Sequence, residues 1–172
     1  MWRPYQLNPN ISLEGIDRQK HLNQKIGGQK QASKIYNTIN EAGKKVGIFF
    51  QFDKIKRTPN SFNSHKLLLF GYKKGKQNQI IESIFYSYFI EGKDIGRLEE
   101  LIVIAKHNKL DEQETNRYLT SNQDQENILE EEVKAKKMGI KGVPCFIINK
   151  EYVIFGVPEK NRFINSFDNL IK

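Results

Sequence analysis

Bulky apolar residues recur at helical spacing through the middle of the chain. Ala32, Ile35, Tyr36 and Ile39 fall at i, i+3, i+4 and i+7, which predicts a helix over about 30–45, ended by Gly47. Leu67, Leu68 and Phe70 predict another, led in by Pro59-Asn60 and stopping near Gly75. From about 77 to 90, Ile81, Ile84, Phe85 and Tyr88 form one stripe with Ile80 and Phe89 beside it. That broad apolar face suits packing between neighbours, and Gly92 ends it. Leu98, Leu101, Ile102 and Ala105 mark a short helix, and Asp111 with Glu114 has capping-box spacing, with Asp in place of Ser or Thr. Residues 127–138 read as a heavily charged helix with few apolar positions, among them Ile128, Val133 and Ala135.

The texture differs at the two ends. WRPYQL (2–7) alternates bulky and polar positions like the end of a strand, LNPNISLEGIDR reads as loop, and Gly27-Gly28 breaks any helix before it. The patch Ile48 to Phe52 is short and strand-like. VPCFII and YVIFGV, separated by Asn149-Lys150-Glu151, have the spacing of an antiparallel hairpin. Pro158 then opens a final helix with Phe163, Ile164, Phe167, Leu170 and Ile171 on one face. A helical block followed by a hairpin and a helix is α/β, and no internal repeat or low-complexity tract interrupts it.

With 172 residues, 38% hydrophobic and 28% charged, the chain has ordinary globular composition and length for one compact domain. Its single cysteine, Cys145, excludes an internal disulfide, a cysteine zinc cluster and a Cys-x-x-Cys pair within the chain. No run approaches the roughly 18 apolar residues that span a bilayer, and MWRPYQLNPN has neither the basic nor the apolar region of a signal peptide. A cytoplasmic protein with no membrane partner is the expectation. The net charge of +8 is uneven: residues 1–76 hold 15 Lys/Arg against 4 Asp/Glu, and residues 77–172 hold 13 against 16. No compact basic run with interleaved aromatics occurs, so the lysines read as solvated and no nucleic-acid partner is expected.

GIKGVPCF (139–146) followed by INKEYVIFGVPEKNRFINSF resembles the closing ββα unit of thioredoxin-fold proteins, specifically the DsbA-like family and its FrnE-like branch. Three further segments agree in order: WRPYQLNPNISLEGIDR (2–18), RTPNSFNSHKL (57–67) and YFIEGKDIG (88–96). The resemblance implies a thioredoxin-like, DsbA-type core with a large helical insertion at about 29–138, closed by a hairpin and C-terminal helix at about 140–172. It puts Pro144 at the family's cis-proline position, where the peptide at Val143 presents backbone groups to an extended substrate or to glutathione. Asn60 and His65, in the segment like the family's insert opening, are further candidates to line a substrate site. The reading of these two from the residues alone is an N-cap and a helix-surface histidine.

One departure matters. In the family a first strand leads into Cys-x-x-Cys at the start of the first helix, ahead of the segment that WRPYQL matches, and this sequence has no such unit. The resemblance therefore implies an N-terminally truncated, FrnE-like thiol-disulfide oxidoreductase relative without dithiol activity of its own, and no catalytic residue is assigned. Cys145, inside VPCFII with Lys141 as the nearest cation, reads as a small buried hydrophobe. Two alternatives stand: an enzyme like glutathione-dependent transferases or 2-hydroxychromene-2-carboxylate isomerases, with glutathione as cofactor, or a non-catalytic peptide-binding or chaperone-like remnant. The expected partners are a thiol or disulfide protein or glutathione, with no resident cofactor or metal under the first reading. Self-association through an exposed sheet edge is also expected.

Overall fold

The computed structural model describes residues 1–150 and 152–168. Leu170 and Ile171 of the expected last helix, and Glu151 of the expected turn, lie outside the described residues. The elements run β1 (Ile16–Asp17), α1 (Arg18–Ile26), α2 (Gln29–Lys44), β2 (Arg57–Thr58), α3 (Phe62–Lys73), α4 (Gln77–Phe89), α5 (Leu98–His107), α6 (Glu112–Thr120), α7 (Gln125–Lys137), β3 (Cys145–Ile148), β4 (Tyr152–Phe155) and α8 (Lys160–Asp168). This is an α/β chain in which a helical block dominates.

The stripes read from the sequence close on one another in α3 to α6. Leu67, Phe70, Ile80, Ile84, Leu101, Ile104, Tyr118 and Leu119 share one buried cluster, and Phe70 stacks on Tyr118 with ring centroids 4.7 Å apart. Lys66 lies fully buried beside it. Its Nζ donates to the carbonyls of Leu119 (2.9 Å) and Ser121 (2.6 Å), satisfying oxygens that the end of α6 leaves without helical partners.

The apolar run at 48–52 is not a strand. It bends into a 3-10 turn at Phe52–Lys54, and the Gln51 N–H donates to the Phe89 carbonyl at 2.8 Å. Phe52 stacks on Tyr36 of α2 at 4.2 Å, and Phe50 meets Phe89 of α4 edge-on at 5.8 Å. Docking these rings fixes the backbone more firmly than a lone unpaired strand would. Gly92, after α4, has φ of +74°, and a Cβ there would come within 2.6 Å of the Lys54 carbonyl oxygen, so this close approach of two loops requires glycine.

Residues 2–7 form no strand and pair with none. Side-chain groups of helices hold them instead: the Trp2 N–H donates to Gln77 Oε1 (2.9 Å) while Gln77 Nε2 donates back to the Trp2 carbonyl (3.0 Å). Gln77 thus supplies the donor and acceptor that a neighbouring strand would otherwise present.

At the other end, β3 and β4 pair antiparallel with Cys145 opposite Phe155 and Ile148 opposite Tyr152. Asn149 and Lys150 turn the chain with φ of 51° and 64°. Phe146 packs edge-on against Phe163 of α8 at 5.2 Å, and Phe163 against Phe167 at the same spacing. Ile154 is the only hairpin strand residue classed as buried among the described residues. The other two-stranded pairing, β1 with β2, sets Ile16 opposite Thr58 and Asp17 opposite Arg57.

Candidate functional site

The loop that carries Val143 and Pro144 begins where α7 ends. Gly139, with φ of +76°, reverses the chain, and buried Ile140 donates its N–H to the Ala135 carbonyl at 3.0 Å. The Val143-Pro144 peptide is cis. Both side chains are exposed, and the Pro144 carbonyl accepts the Gly156 N–H at 2.9 Å, closing the base of the hairpin.

Cys145 follows directly on β3, partly rather than fully buried. Burial pushes its thiol pKa up. A thiol in that state is protonated at neutral pH and is a weak nucleophile. Among the described residues there is no cluster of His, Cys, Asp and Glu fit to hold a metal ion.

Asn60 and His65 stand at the start of α3, facing the N-terminal segment. Asn60 is not the N-cap expected from the sequence: that position is Ser61, without a side-chain bond. One residue earlier, Asn60 accepts the Phe62 N–H (2.9 Å) and Gln6 Nε2 (3.0 Å) at Oδ1 and donates from Nδ2 to the Ile11 carbonyl (2.6 Å). The two bonds accepted by its oxygen and the one given by its NH2 group make it a clamp between α3 and the N-terminal segment. His65 is more enclosed than a helix-surface residue: its Nδ1 is sealed from solvent without a hydrogen-bond partner. Burial lowers its pKa to about 4, opposed by a hydrogen bond with the Tyr5 backbone, so the imidazole is neutral at pH 7.

The N-terminal segment joins these positions to the loop. Tyr5, whose backbone meets His65, donates its hydroxyl to the Ile140 carbonyl at 3.2 Å, and the Gln6 N–H donates to Glu132 Oε1 of α7 at 3.1 Å. Glu132 is buried, and burial raises its pKa against the effect of the Gln6 N–H. Tyr5, Gln6, Gln77 and Glu132 went unsingled in the sequence. Gln77 and Glu132 are polar residues on helices and read as solvated there, and only their partners, 75 and 126 residues away, give them a task.

The arrangement presents an exposed peptide group at Val143, a neighbouring strand edge and a protonated thiol, braced from behind by the N-terminal segment. A helical block thus feeds a loop, a hairpin and a closing helix. The chain belongs to the DSBA-like thioredoxin domain family, whose model matches residues 1–165. It is similar in structure to a probable DsbA oxidoreductase from Streptomyces coelicolor, with a TM-score of 0.87 and 19% identity over 97% of this chain and 73% of that one. It is also similar to a 2-hydroxychromene-2-carboxylate isomerase, with a TM-score of 0.69 and 16% identity over 94% of this chain and 78% of that one. At these identities the likeness is one of fold. No curated protein sequence matches it. No helix among the described residues is long and apolar enough to cross a membrane.

Proposed function

We propose that this chain is a FrnE-like member of the DsbA family that holds a thiol or disulfide substrate against the Val143-Pro144 loop and does not itself turn over a dithiol. The observation that carries this reading is the thiol inventory: Cys145 is the only cysteine, and burial favours its protonated form. Disulfide exchange proceeds by thiolate attack and is completed by a second thiol, which this chain does not supply. The exposed Val143 peptide group and the edge of β3 offer backbone donors and acceptors to an extended polypeptide, the mode of strand addition. A cytoplasmic setting belongs to the reading, since nothing in the chain asks for an oxidising compartment.

Insulin reduction is the test. The chain and its Cys145→Ala variant should give the same rate, both at the level of buffer with reductant. Turnover that depends on Cys145 overturns the proposal. The single thiol also favours a second reading, in which glutathione brings the reactive sulfur, as for an enzyme like the isomerase. Calorimetric titration with reduced glutathione separates the two: saturable binding that Val143→Asp weakens supports the glutathione reading, and absence of heat with retained binding of an unfolded thiol protein supports the first.

A further inference from the structure

We propose that the loop Val46–Phe49, together with the adjoining stripe of α2, docks on an anionic membrane surface. Val46 is 71% exposed, Ile48 43% and Phe49 63%, three bulky apolar side chains within four residues. Phe50 and Phe52 dock inward on Phe89 and Tyr36, whereas Ile48 and Phe49 ahead of them stay exposed. The turn at Gly47, with φ of +78°, projects the segment. On α2, Ile35 and Ile39 are exposed while Ala32 of the inner face is fully buried. Residues 35, 39, 42 and 46 follow one another at spacings of four, three and four, so Ile35, Ile39, Ala42 and Val46 lie along one stripe that runs into the loop. Single exposed apolar residues need no explanation, but a contiguous patch of them marks an interaction surface.

Charge identifies the occupant. Residues 18–57 contain ten Lys/Arg against Glu41 and Asp53 alone, which accounts for the whole formal excess of +8 on the chain. Lys44 is engaged by Glu41 at 2.7 Å, while Lys34 and Lys45, next to the stripe, are exposed. Cationic groups around an apolar tip complement lipid headgroups of negative charge, with the tip entering the boundary between headgroups and acyl chains. A protein partner fits less well, because Lys is depleted from protein–protein interfaces and eight of these ten cations are Lys. The absence of a spanning run concerns insertion across a bilayer and leaves surface docking open.

Sedimentation of the full chain with lipid vesicles tests this. It should pellet with phosphatidylcholine vesicles containing about one-third phosphatidylglycerol, stay in the supernatant with pure phosphatidylcholine, and be released by high salt. Val46→Ser with Phe49→Ser should lower the partition about ten-fold, and Lys34→Glu with Lys45→Glu should do the same. All four positions are exposed, so an unchanged circular dichroism melt is expected and certifies the comparison. Equal pelleting with neutral vesicles, no pelleting with either, or full retention by the Val46/Phe49 variant each overturns the proposal. So does loss of self-association by that variant in vesicle-free sedimentation, which would make the patch a protein interface.

Discussion

Burial holds the His65 imidazole at a pKa of about 4, against 6.5 for the free side chain. Between those values the unfolded chain binds the proton and the folded chain does not, so stability falls as pH falls. The contribution is complete above pH 6.5 and is lost as pH drops through 4, about 3 kcal/mol in all. His21, also lowered by burial, acts with the same sign, and Glu132, raised by burial, acts with the opposite sign. The difference between the chain and its His65→Gln variant therefore isolates one group: urea midpoints from pH 7 to pH 4 should fall less steeply in the variant. Parallel profiles would place the proton elsewhere. At this scale an Asn ahead of an apolar helix signalled a local hydrogen-bonding task at Asn60, but placed the cap one residue early, since the N-cap is Ser61 and Asn60 bonds the Phe62 N–H from outside the helix. The sequence could not disclose Lys66, which sits between His65 and Leu67 and reads as a surface charge. Only the carbonyls of Leu119 and Ser121 at the end of α6 convert it into a buried donor.

Among the elements, helices were legible where a local rule wrote them. Asp111 Oδ1 accepts the Glu114 N–H at 2.7 Å and begins α6 where the capping spacing placed it. Asp111→Ala should lower the unfolding free energy by about 1 kcal/mol, measured by urea denaturation, with Asp111→Asn losing less because it keeps an acceptor. Equal losses for the two would assign the effect to charge near the helix N-terminus. The short β elements were not legible. Two residues at Ile16–Asp17 pair with two at Arg57–Thr58, too few to carry alternation, and their register depends on a partner 40 residues away. The run at 48–52 misled for a different reason. Its aromatic content suits a strand and an aromatic cluster equally, and rings on α2 and α4 decide between them.

For the molecule as a whole, order is distributed unevenly. The α3–α6 block buries a continuous apolar cluster, whereas the hairpin strands bury only Ile154 among the described residues and leave Tyr152 and Phe155 exposed. On α8, Ile164 and Phe167 are likewise exposed. Each strand of the hairpin bonds its backbone to the other, and no further strand joins that sheet among the described residues. A two-stranded hairpin is marginal without added packing, and Phe163 of α8 provides the ring contact described on one face. Opening it therefore costs much less than unfolding the helical block. Amide hydrogen exchange should show Leu67, Ile80 and Leu101 exchanging through global unfolding, with Cys145–Ile148 and Tyr152–Phe155 at least about ten-fold faster. The free edges carry apolar Phe146, Ile147 and Ile148 without a proline or charge within β3 to block pairing with another chain. Raising the protein concentration should then slow exchange in the hairpin and leave the helical block unchanged, with a matching rise in sedimentation coefficient, and Ile147→Lys should abolish both effects. A monomer at all concentrations, with hairpin amides protected to the global unfolding free energy, would mean that the sheet is sealed by contacts other than those described and that its edges are not available to a partner.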